Sequence, residues 1–315
     1  MAATNTIKAK LGWIGTGRMG FEMARRLAKG GCDLTVWNRT RAKAQPLAKD
    51  GAKIVDSLPE LAGCDIVFCM VSTYDDVKEV IAGPEGLLSK AKGKGGVPRR
   101  VVECSSISLE GSAELRKILD AHGVELLAAP VSGNAKVIKA GKLTFVVSGP
   151  KNAYDAAAPY LAMMGQGSSY VGEGELSRIV KICHNVMLGV VTQCMAEITV
   201  LAQKAGVPRH AFLDFLNKSV MGSTFTRYKA PAFVNLDFHV TFTPYLLRKD
   251  LDLGLEAGRR FEVPMPLASI TRDLIQSMMG KGMTEEDFSM LLVQQAQASG
   301  LKLKPENATV GDGLA

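Results

Sequence analysis

The chain has 315 residues, of which 47% are hydrophobic and 22% charged, and its formal net charge is +7. That length accommodates two domains with full cores, and the composition is that of an ordinary globular protein. No apolar run approaches the roughly 20 residues that a bilayer-spanning helix needs, so no membrane segment and no membrane partner are expected.

The opening MAATNTIKAK lacks an apolar segment and is not expected to act as a signal peptide. Six cysteines (Cys32, Cys64, Cys69, Cys104, Cys183, Cys194) include no CxxC pair, and several sit in apolar runs. They read as buried, reduced thiols of a cytoplasmic protein, with no metal site and no disulfides expected. Basic stretches at Lys90–Lys94 and Arg99–Arg100 flank a glycine-rich loop without interleaved aromatics. A solvated loop is expected there and no nucleic-acid partner, while a positive balance suits small anionic ligands.

In chain order, an apolar run over Lys10–Ile14 leads into Gly15, Gly17 and Gly20, and a helical pattern follows directly. Strand, glycine turn and helix in that order form a dinucleotide-binding motif. Gly15 makes the tight turn, Gly17 lets the backbone approach a pyrophosphate, and Gly20 lets the helix pack on the strand. The turn Gly15, Thr16, Gly17, Arg18, Met19, Gly20 is therefore the expected phosphate site, facing the first N–H groups of that helix. A second strand, Asp33–Trp37, ends at Asn38-Arg39-Thr40, followed by Arg41 and Lys43. NAD-selective sites carry a carboxylate roughly 20 positions beyond the glycines. An arginine there instead stacks on adenine and pairs with a 2′-phosphate, so Asn38, Arg39 and Thr40 point to NADP(H).

The alternation continues with a helix at Arg41–Lys49, a strand at Lys53–Val55, a helix near Leu58–Ala62 and an apolar strand at Asp65–Val71. Another strand is expected at Arg100–Cys104, then a helix at Leu109–Ala121 and a strand at Val124–Leu127. Leu143–Ser148 and Tyr160–Val171 read as strand and strand-helix additions that finish this domain. Continuously apolar strands separated by helices imply a parallel sheet covered on both faces, an α/β Rossmann domain spanning residues 1–174. From Glu175 the pattern turns helical, beginning with one proline-free helix over Glu175–Lys204 that ends at Gly206-Val207-Pro208. Helices at Arg209–Lys218, Pro244–Phe261, Leu267–Lys281 and Glu285–Ala298 complete an all-α domain over residues 175–301, joined to the first by the long helix. Residues 302–315 read as a polar, frayed tail.

Four stretches in this order resemble the β-hydroxyacid dehydrogenases, the family that includes 3-hydroxyisobutyrate dehydrogenase and the glyoxylate/succinic semialdehyde reductases. They are GWIGTGRMG at Gly12–Gly20, APVSGN at Ala129–Asn134 leading to AGKLTFVVSG at Ala140–Gly149, KICHN at Lys181–Asn185 and KDLDLGLEAG at Lys249–Gly258. The resemblance implies hydride transfer between a nicotinamide and a small anionic carbonyl or hydroxy-acid substrate, in a homodimer or homotetramer. It makes Lys181 the general acid/base, with Asn185 one helical turn later on the same face. Ser132, Gly133 and Asn134 match the carboxylate-binding turn, Asp250 matches a position near the active site, and Phe242 is expected to line the substrate pocket. Val71 and Ser72 match a loop near the nicotinamide ribose, Ser105-Ser106 the nicotinamide contact, with Ser106 taken as the cofactor residue. Lys249 matches a residue near the cofactor, against the competing reading of a surface Lys249–Asp250 pair.

Some residues depart from the family pattern. Glu175 and Ser177 stand where the family has further glycines, and His184 where it often has asparagine. Two readings of His184 stay open, a change in the substrate site or a histidine with no role. Met221, Ser223, Phe225, Arg227 and Phe242 are candidates for setting pocket shape, with Arg227 either pairing with a second carboxylate or lying at the surface. Imine reductases resemble this family in fold but generally carry aspartate or tyrosine at the position of Lys181. A non-catalytic dinucleotide-binding scaffold is the other rival, and such relatives tend to lose the lysine.

Overall fold

The computed structural model describes residues 9–91 and 96–314, so the opening MAATNTIK and the 92–95 part of the basic loop lie outside the described residues. Contacts divide the chain into two units, residues 1–181 and 182–315. The first unit begins β1 (Leu11–Ile14), α1 (Arg18–Lys29), β2 (Leu34–Trp37), α2 (Arg41–Ala44), β3 (Lys53–Ile54), β4 (Ile66–Cys69) and α3 (Tyr74–Ala82). It continues β5 (Arg100–Glu103), α4 (Leu109–Ala121), β6 (Glu125–Ala128), β7 (Val131–Ser132), α5 (Ala135–Lys139), β8 (Thr144–Val147), α6 (Lys151–Met164) and β9 (Gly167–Tyr170).

Strands β1–β6 form one parallel sheet in the order β3-β2-β1-β4-β5-β6. Side chains alternate between its faces, as the period of two requires. Leu11, Trp13, Ile66 and Phe68 join Met23 and Leu27 of α1 on one side, while Ile14, Val67 and Cys69 join Val77 and Leu115 on the other. Both faces are covered, which explains why β1 and β4 are fully buried. The sequence order reverses between β1 and β4, and such a switch point opens a crevice at the carboxyl ends of the strands.

Several boundaries differ from the sequence reading. The helix expected over Arg41–Lys49 stops at Ala44 and continues as a 3₁₀ turn, Gln45–Asp50, because Pro46 supplies no N–H. A 3₁₀ turn containing Pro59 also replaces the helix near residues 58–62. Tyr160 lies inside α6 rather than in a strand, and β9 starts only at Gly167. The late strands do not extend the main sheet; β7, β8 and β9 make a separate three-stranded one.

In the second unit α7 (Leu176–Lys204), which brings the chain out of the first, is followed by α8 (Arg209–Lys218), α9 (Thr224–Asn235) and α10 (Pro244–Arg260). Next come α11 (Pro266–Gly280) and α12 (Leu291–Ala298), around a core that includes Val186, Phe233, Leu251, Ile275 and Phe288. Gly254 brings α10 against α7, since a Cβ there would lie 2.2 Å from Val186 Cγ2. The expected helix over 285–298 starts late, because Asp287 caps the 3₁₀ turn Phe288–Met290 that precedes α12. Contrary to the expectation of no long apolar segment, α7 is long and apolar enough by length and composition to cross a membrane. Its mean hydropathy reaches 1.5 over 18 residues, half of them buried. Buried Asn185, Thr192, Gln193 and Thr199 interrupt the apolar run, which is why no uninterrupted stretch is visible in the sequence.

The segment after α12 is not frayed. Leu301, Leu303, Ala308 and Val310 pack on the helical core, and the Glu306 carboxylate accepts the N–H groups of Arg209 and His210 (2.8 Å each) at the start of α8. A helix start opened by Pro208, which offers no capping side chain, takes its acceptor from the distant glutamate.

Asp287 is buried and accepts from Lys229 Nζ (2.6 Å), the Thr241 and Ser289 hydroxyls and the N–H groups of Thr241, Phe242 and Ser289. Burial pushes its carboxyl up, but Lys229 and these donors outweigh it and leave the pKa below the usual value. A depressed folded pKa adds stability above the unfolded value of about 3.9 that is lost as pH falls through the folded one. Urea unfolding between roughly pH 2.5 and 5 should therefore fall off more steeply with acid in the wild type than in Asp287→Asn. Equal slopes would refute this.

Candidate functional site

At the end of β1 the backbone of Gly15 takes φ +94°, and a Cβ there would lie 2.3 Å from the Met70 carbonyl oxygen. Only glycine lets this turn pass so close to the end of β4. A Cβ at Gly20 would lie 2.2 Å from the Gly15 carbonyl oxygen, so α1 packs directly on the turn. Gly17, the N-cap of α1, is the opposite case, since a Cβ there would meet nothing within 4 Å.

The turn is braced from behind. Trp13 Nε1 donates to the Gly15 carbonyl (2.7 Å), the Thr16 N–H donates to Asn38 Oδ1 (2.8 Å), and Asn38 Nδ2 donates to the Thr40 carbonyl (2.8 Å). Asn38 thus ties the glycine turn to the end of β2. In front opens a cavity of about 910 Å³, lined by Gly15, Gly17, Arg18, Met19 and Gly20 from the turn. Asn38, Arg39 and Thr40 line it from β2, Val71 and Ser72 from β4. Thr16 is buried behind it, and its hydroxyl has no hydrogen-bond partner among the described residues.

An open backbone turn and a helix N-terminus without side-chain cap or first-turn acid fit the pyrophosphate of a dinucleotide. Arg39 is 87% exposed by side chain, with its guanidinium 3.7 Å from Asp76. Lys43 and Lys90 also line the cavity, as do Asp56, Asp76 and Glu79, which the sequence reading missed. The signal for Asp76 was present: Thr73 and Asp76 form a capping box that opens α3.

Ser105 and Ser106 separate in role. Ser105 is buried, and its hydroxyl accepts the Val71 N–H (2.9 Å); Ser106 is exposed at the end of β5. At the Ser132 turn, Gly133 has φ +139°, and a Cβ there would lie 2.8 Å from Val137 Cγ1. Asn134 Oδ1 accepts the Val137 N–H (3.1 Å) as the cap of α5, which leaves its amide nitrogen as the group able to donate to a ligand.

Lys181 is half-buried on α7, one turn before Asn185, which is 8% exposed. Asn185 Nδ2 donates to Asp250 Oδ2 (2.6 Å), and Lys249 Nζ lies 3.1 Å from Asp250 Oδ1. Asp250 is buried (6% exposed), while the Lys249 side chain that pairs with it is 41% exposed. With Nδ2 held by the carboxylate, Asn185 Oδ1 faces His184 Nδ1 (2.9 Å), which must carry the proton in that contact. His184 therefore lies against the asparagine rather than apart from it. Phe242 is half-buried and edge-on to Phe288, with centroids 6.0 Å apart. Among the remaining pocket candidates, Ser223 caps α9, Phe225 stacks on Phe288, Met221 is exposed, and Arg227 Nη2 donates to the Asn217 carbonyl (2.8 Å).

A glycine-turn strand and helix at the switch point of a parallel sheet, with an all-helical unit following, define a Rossmann-type protein that binds a nicotinamide dinucleotide. Residues 10–174 match the family profile of the NAD-binding domain of 6-phosphogluconate dehydrogenase. Residues 175–294 match that described as NAD-binding of NADP-dependent 3-hydroxyisobutyrate dehydrogenase. The chain is 31% identical to glyoxylate/succinic semialdehyde reductase 2, chloroplastic, of Arabidopsis thaliana, over 90% of this chain and 78% of that protein. It is 30% identical to 2-(hydroxymethyl)glutarate dehydrogenase of Eubacterium barkeri, over 93% and 97% respectively. A 3-hydroxyisobutyrate dehydrogenase structure from Salmonella typhimurium superposes with a TM-score of 0.77 at 25% identity, covering 90% of this chain and 99% of that one. The chain belongs to the β-hydroxyacid dehydrogenase family of NAD(P)-dependent oxidoreductases.

Proposed function

We propose that the protein is an NADP(H)-dependent enzyme that reduces small carboxylated aldehydes to hydroxy acids, and runs the reverse reaction, with Lys181 as general acid/base. The observation that carries this reading is the arrangement on α7, where Lys181 is followed one turn later by an asparagine whose amide is locked by Asp250. When bound, the nicotinamide supplies or accepts the hydride. Reduction leaves negative charge on the carbonyl oxygen; the Lys181 ammonium stabilises it and donates the proton, and in the reverse direction the neutral amine removes it. Asn185 directs its amide toward the same oxygen, and its orientation costs nothing at the moment of reaction because Asp250 has already set it. Ser132, the Gly133 backbone and the Asn134 amide nitrogen bind the substrate carboxylate.

The NADP preference rests on the end of β2. Asn38 spends its oxygen on the Thr16 N–H, the Asn38–Thr40 turn itself holds no carboxylate, and Arg39 lines the cavity with Lys43, its guanidinium 3.7 Å from Asp76. Arg39→Ala should raise the KM for NADPH about 10-fold or more and leave that for NADH nearly unchanged, as expected for loss of a charge-assisted phosphate contact. Equal effects on both cofactors would remove Arg39 from 2′-phosphate recognition.

The whole reading is tested by NADPH and NADH oxidation against glyoxylate, succinic semialdehyde, tartronate semialdehyde, methylmalonate semialdehyde and a cyclic imine. Turnover of an aldehyde acid with NADPH preferred supports it. Turnover of the imine alone overturns the substrate class, and binding of NADPH without any turnover favours the scaffold.

A further inference from the structure

Beneath the carboxyl end of β5 lies a buried charged cluster that the reaction above does not use. Arg178 on α7 is 2% exposed, and Glu103, Ser105 and Ser112 are fully buried. Arg178 Nη2 donates to Glu103 Oε2, Nη1 to the Ser105 carbonyl (2.7 Å) and Nε to Ser112 Oγ (3.2 Å). Glu103 Oε1 accepts the Ser105 N–H (2.7 Å). The peptide of Ser105 is therefore held on both sides, its N–H by the carboxylate and its carbonyl by the guanidinium.

The cluster continues on its far side through the residues that depart from the family pattern. Ser112 Oγ bonds Glu175, whose other oxygen accepts from Arg116 Nε (2.7 Å), and Arg116 Nη2 reaches the Gly174 carbonyl (2.9 Å). Ser177 Oγ donates to the Ala128 carbonyl (2.9 Å). Charged and hydroxyl side chains thus root the first turn of α7 where additional glycines were expected. Removing such a cluster in favour of apolar packing is often neutral or favourable for stability, so its presence calls for a geometric role.

We propose that Arg178 is a positioning residue for hydride transfer, fixing α7 one turn ahead of Lys181 in register with the two loops at Val71–Ser72 and Ser105–Ser106. The inference rests on the roles assigned to Lys181 and those loops under the proposed function. Its logic is that one planar fork engages three partners at fixed angles. Ser105 passes the constraint on, because its hydroxyl accepts the Val71 N–H. Loosening the fork lets Lys181 and the nicotinamide-side loops drift independently, and a misplacement of about 1 Å costs on the order of 100-fold in rate. The phosphate and adenosine contacts at Gly15–Gly20 and Asn38–Thr40 do not pass through Arg178, so cofactor affinity should hold.

The test compares wild type, Arg178→Lys, Arg178→Met and the double variant Glu103→Gln/Arg178→Met. Each is measured for Tm, NADPH affinity, kcat and KM on the best carbonyl of the panel, and amide exchange with NADPH bound. Arg178→Met should lower kcat at least ~30-fold with NADPH affinity within about 3-fold, and should speed exchange at Val71 and Ser105. Arg178→Lys, which keeps the charge without the fork, should recover part of the rate. In the double variant the stranded carboxylate is gone, so Tm should recover while kcat stays low. Recovery of kcat along with Tm would show a merely structural role and overturn the proposal, as would unchanged exchange at both loops in folded Arg178→Met. If the wild type binds NADPH but reduces nothing in the panel, the functional reading fails on its own, and the exchange result decides the positioning claim.

Discussion

Lys181→Ala should bind NADPH as the wild type does and lose at least ~100-fold in turnover, the usual scale of a positioned proton transfer. The cofactor cavity is lined by the glycine turn and the ends of β2 and β4, none of which contains Lys181. Removing the amine therefore takes away no contact to phosphate or adenosine. It does take away the proton that must reach the carbonyl oxygen as the hydride arrives at carbon, and water is a poorer and unpositioned donor. The Asn185 amide stays in place through Asp250 and can still polarise the oxygen, so a residual rate should remain. Stopped-flow oxidation of bound NADPH checks this directly. A near-normal rate would place the proton donor elsewhere.

Arg209→Met should destabilise the helical unit by about 3–5 kcal/mol. The side chain is fully buried, and its guanidinium donates to the carbonyls of Phe233 (2.7 Å), Val234 (2.8 Å) and Lys304 (2.6 Å) and to Gln203 Oε1 (2.9 Å). Methionine fills much of the volume but leaves the Phe233 and Lys304 carbonyls without this donor, each costing about 1–3 kcal/mol in a site closed to water, while the Val234 carbonyl keeps the Glu306 N–H (3.2 Å). Burial lowers the Arg209 pKa and the nearby Glu306 opposes that shift, so desolvation is the price of the clamp. A drop in Tm of about 10 °C is expected on the scale of 2–4 °C per kcal/mol. A Tm within about 2 °C of wild type would mean that the carbonyls find other donors.

What could be read from the sequence was what local spacing encodes. Gly15, Gly17 and Gly20 carry their own geometric reasons, and apolar runs such as Ile66–Cys69 declare strands buried on both faces. What could not be read depends on partners far along the chain. Asn185 and Asp250 are 65 positions apart, and Arg178 meets Glu103 across 75. Helix α9 was missed because Pro231 sits inside it and its aromatic and polar residues show little periodicity, although the Ser223–Thr226 box marks its start. The segment after α12 looked like a tail because it forms no helix or strand; its order comes from Glu306, Leu301 and Leu303 meeting α8, α9 and the core. Asn38 was read as a cofactor residue, and the structure adds that its oxygen is bound to the turn it faces.

The clamp on Arg209 also imposes an order on synthesis. The first unit has all of its sheet and the root of α7 by residue 181 and can close while later residues are still being translated. The helical unit cannot. Arg209 sits among open carbonyls until Lys304 and Glu306, nearly a hundred residues downstream, have left the ribosomal tunnel. Until then α8 lacks its N-terminal acceptor, and Arg209 lacks the Lys304 carbonyl. The last side-chain and backbone partners of the Arg209 clamp are thus among the last residues to emerge, so the helical unit is completed after the nucleotide-binding unit.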